Sequence, residues 1–223
     1  DCNFRCSTEW IKSEFQPLFG GWTPFSRLDV FIDDSRTKIY GAYNYRVHWM
    51  WLERRYSQPL WTTFVRATDR VLIIGASAGY DAALLPLSVD HRNVDLVEID
   101  PVVVGLFKSD PKLNGGLFAR ARVHVKDGRA YLDEYRGRPY EAVIVGSVDS
   151  PSRGLSSFST TKAHLLTREG VRATLSVLAP DGTAVFTPRD VPSADNVMRA
   201  LQAEGVPWRM ILYSSRPFIP RRL

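Results

Sequence analysis

Residues 71–81 read VLIIGASAGYD, an apolar run that ends in a loop of small residues followed by an acid, Asp81. Four apolar residues bounded by glycine are typical of a buried strand, and the small residues predict a tight turn into a helix. Gly75 and Gly79 flank three further small residues, so a ligand can approach the backbone closely at the start of that helix. A plain packing corner between strand and helix explains the same letters, so this loop leaves both interpretations open.

The spacing within this loop argues against a dinucleotide. A pyrophosphate-binding fingerprint has glycine at its third and sixth positions, which here are Ser77 and Tyr80. A ligand that lacks pyrophosphate and carries an amine or carboxylate tail fits the loop better. An NAD-dependent oxidoreductase is therefore the least favoured class of function.

Apolar runs and helical segments alternate after residue 70, which predicts the α/β class. The predicted strands are RVLIIG, NVDLVEID, RVHV, EAVIVG, TAVFT and WRMILYS. Strands buried on both faces indicate a Rossmann-like, mostly parallel, doubly wound sheet, to which we add an antiparallel last strand. Ligands of such sheets bind beyond the carboxyl ends of the strands.

The first part of the chain has a different pattern, rich in aromatic and turn residues. Residues 27–32 and 38–40 predict a hairpin around Asp-Asp-Ser, and residues 49–66 predict a helix interrupted at Pro59. We therefore expect a small β appendage over 1–48 and a Rossmann-like domain over 49–223, with its core at 68–190.

Composition narrows the classes of function. Of the 223 residues, 44% are hydrophobic, enough for a buried core, and the net charge of +5 is interspersed with acids rather than gathered in a basic stripe. We expect no nucleic-acid partner. The two cysteines, Cys2 and Cys6, and four scattered histidines have no metal-ligand spacing, so no metal is expected.

The most apolar window, 71–89, contains Asp81 and Pro86 and is unlike a membrane span. The chain begins with Asp1 rather than Met, from which we expect a piece of something longer.

Two further strand ends carry acids. Glu98 closes the second strand, where a carboxylate can accept both hydroxyls of a ribose, unless it is simply an exposed acid at a strand end. Asp127 and Gly128 follow the third strand. Asp127 can accept an adenine amino group while Gly128 leaves room for the ring, or it can cap the next helix without any ligand.

The fourth strand ends in VIVGSVDSP. Gly146 permits close approach of a ligand, and Asp149 is the only carboxylate between Glu141 and Glu169. Asp149 is thus the candidate general base or cation-binding group, with a turn-stabilising role as its alternative. The composition of the loop 147–161 is typical of a lid.

The segments VLIIGASAGYD, LVEIDP, VKDGRAYL, YEAVIVGSVDSP and LAPDGTAVF, in this order and spacing, resemble the spermidine synthase-like branch of the class I S-adenosylmethionine-dependent methyltransferase fold. The resemblance covers about residues 68–190. It implies S-adenosylmethionine or its decarboxylated form as cofactor, with residues 75–79 along the methionine-like tail, Glu98 at the ribose and Asp127 at the adenine amino group. The expected cofactor-binding residues are Gly75, Ala76, Ser77, Gly79, Asp81, Glu98, Ile99, Asp127, Gly128 and Gly146, with Asp149 as the catalytic residue.

Two departures from the family pattern affect the acceptor. Aminopropyltransferases of this family carry acids where this chain has Ala78 and Gly146. The resemblance therefore favours methyl transfer to a non-standard small-molecule acceptor. Two alternatives stay open: aminopropyl transfer from decarboxylated S-adenosylmethionine, and a non-catalytic nucleoside-binding or sensor domain of a membrane-associated protein.

The segment WTPFSRLDV is similar to one that precedes this domain in bacterial relatives, several of which are fused to membrane-spanning regions. We therefore expect a cytoplasmic location and a covalent link to, or contact with, membrane segments outside this chain. A homodimer is left open.

Overall fold

The computed structural model describes residues 15–36, 38–43, 46–52, 60–146, 164–188 and 191–206. An antiparallel sheet comes first, and a parallel sheet with helices follows it. The predicted α/β class and the predicted N-terminal β appendage are therefore confirmed.

The first sheet has four strands in the order β1-β2-β3-β4. Their bounds are β1 Gln16–Trp22, β2 Arg27–Ile32, β3 Lys38–Tyr43 and β4 Arg46–Leu52. The predicted hairpin is confirmed as β2–β3, where Val30 pairs with Gly41. Asp33 closes its turn, because its Oδ1 accepts a hydrogen bond from the Lys38 backbone N–H at 2.7 Å.

The predicted helix over 49–66 is wrong in its first four residues. Residues 49–52 belong to β4, where Trp51 pairs with Ile39 and Leu52 with Lys38. The aromatic and branched residues of VHWMWL favour an extended chain, and pairing with β3 decides the outcome. The sheet thus continues to Leu52, and a 3₁₀ helix, Leu60–Phe64, is described between it and the second sheet.

The second sheet has five parallel strands among the described residues, in the order β7-β6-β5-β8-β9. Their bounds are β5 Val71–Ile74, β6 Val94–Glu98, β7 Arg122–Val125, β8 Tyr140–Val145 and β9 Leu178–Phe186. The chain order reverses between β5 and β8, which makes their carboxyl ends the topological switch point. The antiparallel last strand predicted over WRMILYS lies outside the described residues.

Six α-helices are described along the chain: α1 Tyr80–Ala83, α2 Pro101–Ser109, α3 Leu117–Arg120, α4 Gly128–Glu134, α5 Arg168–Ser176 and α6 Val191–Ala203. Local chemistry starts several of them. Asp100 caps α2 by accepting from the Val102 N–H, with Pro101 in the first turn, and Thr167 caps α5 through the Gly170 N–H. None of the described helices is long and apolar enough to cross a membrane.

The parallel sheet is buried on both faces. Ile73 and Leu96 of one face share a core with Phe107 of α2 and with Leu28 and Ile39 of the antiparallel sheet. On the other face, the core is formed by strand residues Leu72, Ile74 and Val97 together with Leu165, Val171 and Ala200. Alternate residues of each strand therefore supply two different cores, which confirms the doubly wound arrangement and leaves the strand ends free to form a site.

Candidate functional site

The candidate site lies at the carboxyl ends of β5, β6 and β8. Here the loop after β5 bends sharply: the N–H groups of Gly75 and Ala76 both donate to the Val97 carbonyl, at 3.0 and 3.1 Å, and the Gly79 N–H donates to the Ala76 carbonyl at 2.7 Å. Gly75 has a φ of 78°, and Ser77 has a φ of 48°, unusual for a residue with a side chain. This conformation places the Ser77 N–H at the end of β6, beside Glu98.

Glu98 is a buried carboxylate of this edge, with 7% of its surface exposed. Its Oε2 accepts from the Ser77 N–H at 2.7 Å, and its Oε1 accepts from the Asp100 N–H at 2.9 Å. No Arg or Lys among the described residues forms an ion pair with it. Burial raises the pKa of Glu98, and the two backbone donors only oppose that shift. Each oxygen has a further lone pair, so a carboxylate held in this way can still accept from a vicinal diol.

Asp100 binds Glu98 through its backbone N–H, and Tyr43 binds Asp100. The sequence analysis identified neither residue as part of the site. The Tyr43 hydroxyl, on β3, donates to Asp100 Oδ2 at 2.6 Å, while Asp100 Oδ1 caps α2. Because the Asp100 N–H in turn holds Glu98, the antiparallel sheet is joined to the site edge through one chain of hydrogen bonds. The letters DP at 100–101 signalled the cap, but the contact with Tyr43 spans 57 positions and has no local signal.

Several small residues of the loop serve packing. Ala76 and Ala78 are buried in the apolar core, at 3% and 0% exposure, and the Ala78 carbonyl accepts from Asn114 Nδ2 at 3.2 Å. A Cβ on Gly79, which has a φ of 89°, would lie 2.4 Å from Leu117 Cδ2. The corner interpretation thus accounts for these three residues, while Gly75 and Ser77 are the half-exposed part of the loop.

Asp127 and Gly128 show the capping alternative. Asp127 is exposed, and its Oδ1 accepts from the Ala130 N–H at 2.9 Å, which starts α4. A Cβ on Gly128 would lie 2.4 Å from Ile74 Cγ2 and 3.0 Å from Leu165 Cδ1. Glycine is therefore required here for close packing of α4 on the sheet. The contact of Asp127 with an adenine stays a prediction.

Gly146 and Asp81 meet at the switch point. Gly146 is buried, and its N–H donates to the Ile74 carbonyl at 2.9 Å. A Cβ on Gly146 would lie 2.8 Å from Asp81 Oδ2 and 3.2 Å from the Ile74 carbonyl oxygen. The half-buried Asp81 therefore places its carboxylate in the space that a side chain at 146 would need.

Two other predicted site features remain. Ile99 lies half-buried between Glu98 and Asp100, at the same edge. Asp149 and the predicted lid fall within 147–163, outside the described residues. No group of three or more His, Cys, Asp or Glu in the described part of the chain could hold a metal ion.

The described residues form a Rossmann-like domain with a candidate ligand site at the carboxyl ends of its strands, and comparison with known proteins gives its family. The spermine/spermidine synthase domain matches residues 61–207, well over half of the chain. The chain therefore belongs to the spermine/spermidine synthase domain family. The resemblance stated from the sequence is thereby confirmed.

Two curated relatives are polyamine aminopropyltransferases. Polyamine aminopropyltransferase 2 of Streptomyces coelicolor is 29% identical over 194 residues, which are 82% of this chain and 32% of that protein. The polyamine aminopropyltransferase of Vibrio vulnificus is 28% identical over 123 residues, 52% of this chain and 36% of that protein. The chain thus spans about a third of the length of these two relatives.

Solved structures agree on the fold. A spermidine synthase in complex with the transition-state analogue AdoDATO superposes with a TM-score of 0.64 at 19% identity, over 84% of this chain and 64% of the other. The Thermotoga maritima spermidine synthase gives 0.61 at 19% identity with the same coverage. At this identity the likeness defines the fold, and the site must be argued from its own residues.

Proposed function

We propose that this chain is a transferase domain that binds decarboxylated S-adenosylmethionine and transfers its aminopropyl group to an amine acceptor. The observation that carries the proposal is Glu98. It is a buried carboxylate with no counter-ion in the described part of the chain, fixed by the Ser77 and Asp100 N–H groups at the edge where sheets of this type bind ligands. In a member of this family, that carboxylate is suited to the ribose hydroxyls of the nucleoside.

Aminopropyl transfer is preferred to the methyl transfer favoured from the sequence alone. The curated relatives are named polyamine aminopropyltransferases, and none of those named above is a methyltransferase. The sequence argument for methyl transfer relied on the absence of acids at Ala78 and Gly146. That argument weakens because the Asp81 carboxylate lies within 2.8 Å of the Cβ position at Gly146.

Aminopropyl transfer requires mainly that the protein position the donor and the acceptor. A sulfonium donor supplies a neutral thioether as its own leaving group, so orientation of donor and acceptor contributes most of the acceleration. Glu98 would hold the ribose, and the half-exposed Gly75 and Ser77 would border the tail of the donor. A carboxylate near the reacting carbon would bind the acceptor ammonium and take up its proton.

Calorimetric titration of the chain tests the proposal. We expect heat with decarboxylated S-adenosylmethionine and with methylthioadenosine, and weaker binding of S-adenosylmethionine. A mass-spectrometric assay with 1,4-diaminobutane should then show a product heavier by one aminopropyl group.

Each failure has a separate meaning. Folded protein that binds none of the three nucleosides overturns the proposal. Tight binding of S-adenosylmethionine with transfer of a methyl group replaces it by methyl transfer. Binding of methylthioadenosine without transfer to a panel of amines replaces it by the sensor interpretation.

A further inference from the structure

We infer that Asn114 is a positioning residue for the nucleoside, because its side chain fixes the turn that presents the Ser77 N–H to Glu98. The inference rests on the proposed function and adds to it a residue that lies away from the strand ends. Asn114 belongs to the loop between α2 and α3, 36 positions along the chain from the turn that it contacts.

The contact is a hydrogen bond in the protein interior. Asn114 Nδ2 donates to the Ala78 carbonyl at 3.2 Å, and the two residues are 3% and 0% exposed. A Cβ at Gly79 would lie 2.4 Å from Leu117 Cδ2 and 3.1 Å from Phe118 Cε1. The same position is 3.7 Å from Asn114 Nδ2. The amide is therefore a polar group next to apolar side chains of the core.

The chemistry of the amide determines its orientation. Only Nδ2 can donate to a carbonyl, so a rotated amide would place Oδ1 against the Ala78 oxygen. Oδ1 is buried and accepts no hydrogen bond from the described residues. An unpaired buried acceptor is unfavourable for folding, and leucine has a similar shape without one. The carbonyl that Asn114 binds therefore explains this residue better than packing does.

The peptide between Ala78 and Gly79 is held at both of its polar groups. In a trans peptide, the C=O and N–H groups point in opposite directions. The carbonyl accepts from Asn114, while the Gly79 N–H donates to the Ala76 carbonyl at 2.7 Å. The second bond closes a four-residue turn, 76–79, and the first fixes the plane of its last peptide. Asn114 is thus a contact from outside the turn that keeps it in this conformation.

Ser77 is the residue that depends on this contact. It is the second residue of the turn and has a φ of 48°, a value that favours glycine there. In this conformation its N–H donates to Glu98 Oε2 at 2.7 Å. Without a donor to the Ala78 carbonyl, the last peptide can rotate and Ser77 can relax to a negative φ. Its N–H then turns away from the carboxylate that would hold the ribose.

The loop that carries Asn114 is fixed on both sides of it. The Lys112 N–H donates to Asp110 Oδ1 at 3.0 Å. Gly115 and Gly116 have φ values of 63° and 71°, which glycine adopts without strain. The side chain of Asn114 therefore extends from a backbone of defined conformation, as a positioning role requires.

Asn114→Leu tests the inference. It removes the donor to Ala78 and also the unpaired oxygen, so the midpoint of thermal unfolding should change little. The methylthioadenosine dissociation constant, measured by calorimetric titration, should rise by about 5- to 10-fold, as for the loss of one hydrogen bond. The donor KM should rise in parallel, while the acceptor KM stays within about twofold. Asn114→Ala removes the same donor without adding bulk and should show the same loss if leucine cannot be accommodated.

Ser77→Gly distinguishes positioning from a general structural role. Glycine adopts a positive φ without strain, so a turn with glycine at 77 should keep its conformation without the Asn114 contact. In a Ser77→Gly background, the effect of Asn114→Leu on methylthioadenosine affinity should therefore shrink to less than about twofold.

Thr174→Val is the matched control. Thr174 is also fully buried, and its Oγ1 donates to a backbone carbonyl, that of Gly170, at 3.0 Å within α5. Its substitution removes a hydrogen bond of the same kind away from the site. It should leave the nucleoside affinity unchanged.

Hydrogen exchange of the nucleoside-free chain measures the turn independently. The Ser77 and Gly79 amides should exchange about 5- to 10-fold faster in Asn114→Leu, because the turn opens more often. The Lys126 amide, which donates to the Glu98 carbonyl at 3.0 Å, should exchange at its wild-type rate.

Unchanged methylthioadenosine affinity in folded Asn114→Leu would overturn the positioning role and leave the proposed function intact. An equal loss in the Ser77→Gly background, or unchanged exchange of the Ser77 and Gly79 amides, would do the same. Wild-type protein that binds no methylthioadenosine would overturn the proposed function, and the role of Asn114 toward a nucleoside with it.

Discussion

Strand β6 carries two buried carboxylates, Asp95 near its start and Glu98 at its end, 3% and 7% exposed. They lie three residues apart on this strand. Asp95 is near the amino ends of the parallel strands, here called the amino edge, and Glu98 is at their carboxyl ends, the carboxyl edge. Asp95 is surrounded by cations and a hydroxyl group, whereas the partners of Glu98 among the described residues are backbone N–H groups.

Asp95 is the centre of a network of ion pairs and hydrogen bonds in which both of its carboxylate oxygens have partners. Arg122 donates from Nε to Oδ1 at 2.9 Å and from Nη2 to Oδ2 at 2.7 Å, His124 Nε2 lies 2.8 Å from Oδ1, and the Tyr140 hydroxyl donates to Oδ2 at 3.0 Å. Arg70 Nη2 approaches Oδ2 at 3.5 Å and its guanidinium lies over the Tyr140 ring. Burial alone would raise the pKa of Asp95, but the hydrogen bonds from Arg122 and His124 outweigh it and lower the pKa.

This difference distinguishes an edge that stabilises the fold from an edge that is suited to bind a ligand. A buried carboxylate with a matched set of donors stabilises the fold that surrounds it, and removal of one member leaves the others unpaired. A buried carboxylate without a cation is a local disadvantage for folding, and such groups are concentrated at functional sites. The amino edge of the sheet is therefore interpreted as structural and the carboxyl edge as the site.

Asp95→Ala is expected to give the largest effect. It leaves the Arg122, His124 and Tyr140 groups without their common acceptor, and we expect a loss of about 3 kcal/mol in the free energy of unfolding. The lower end of the usual range applies because Arg122 is about half exposed and stays partly hydrated. Urea denaturation of the two proteins measures it. A loss below about 1 kcal/mol would contradict the structural interpretation of the amino edge.

Glu98→Gln tests the role of the carboxyl edge in ligand binding. The amide removes the charge and turns one donor toward a backbone N–H, so we expect methylthioadenosine affinity to fall by about 30-fold, or about 2 kcal/mol. Calorimetric titration measures the affinity.

Glu141→Gln is the matched control for that variant. Glu141 also accepts from a backbone N–H, that of Arg70 at 2.8 Å, but at the amino edge of the sheet. Its substitution should leave the nucleoside affinity unchanged. Equal losses in both variants would mean that Glu98 acts only through the fold.

The architecture was predictable because burial on both faces leaves a local signal. VLII is an uninterrupted apolar run, VDLVE contributes three branched apolar residues between its two acids, and turns rich in glycine or aspartate follow both. Strand β4 was not predictable in the same way. Its residues 49–52 carry aromatic side chains that suit a helix or a strand, and the choice depends on pairing with Lys38–Tyr43 across the sheet.

The sequence predicted where the site residues lie more accurately than what each of them does. Glu98 was identified from its place at a strand end, and the structure brings it together with Ser77. The requirement for glycine at 79 and 128 arises from contacts with Leu117 and Ile74, which are distant in sequence, so the letters alone suggested a ligand instead. The approach of Asp81 to Gly146 is likewise a tertiary contact across 65 positions.

The pH dependence of stability should show the two carboxylates with opposite signs. The pKa of Asp95 is lowered from its usual 3.8, so its stabilisation is present above that value and is lost as pH falls through the folded-state pKa. The pKa of Glu98 is raised from its usual 4.5, so stability is greatest below that value and declines as pH rises through the folded-state pKa. Each contributes a slope of at most about 1.4 kcal/mol per pH unit.

Urea denaturation between about pH 2 and about pH 8 checks these signs, because the Asp95 stabilisation is lost below its usual pKa of 3.8. Asp95→Asn should flatten the acidic limb only, and Glu98→Gln should flatten the decline on the alkaline side only. Flattening of the same limb by both variants would show that the two carboxylates titrate as one coupled group.

Tyr43→Phe should give the smallest effect and the sharpest test of the connection between the antiparallel sheet and the site. It removes the 2.6 Å hydrogen bond to Asp100 Oδ2, for which we expect about 1 kcal/mol, seen as a roughly fivefold loss of methylthioadenosine affinity. Tyr140→Phe removes a tyrosine hydroxyl from Asp95 at the other edge and should reduce stability while leaving that affinity alone.

A double-mutant cycle decides whether Tyr43 acts through Glu98. The Asp100 N–H holds Glu98 Oε1 at 2.9 Å, so Tyr43 influences the nucleoside only by keeping Asp100 in place. In a Glu98→Gln background, the Tyr43→Phe effect on affinity should therefore largely disappear, since residues in one hydrogen-bond network are not additive. Full additivity would mean that Tyr43 reaches the ligand by a route that does not include Glu98, and the chain of contacts from β3 to the site edge would then be structural alone.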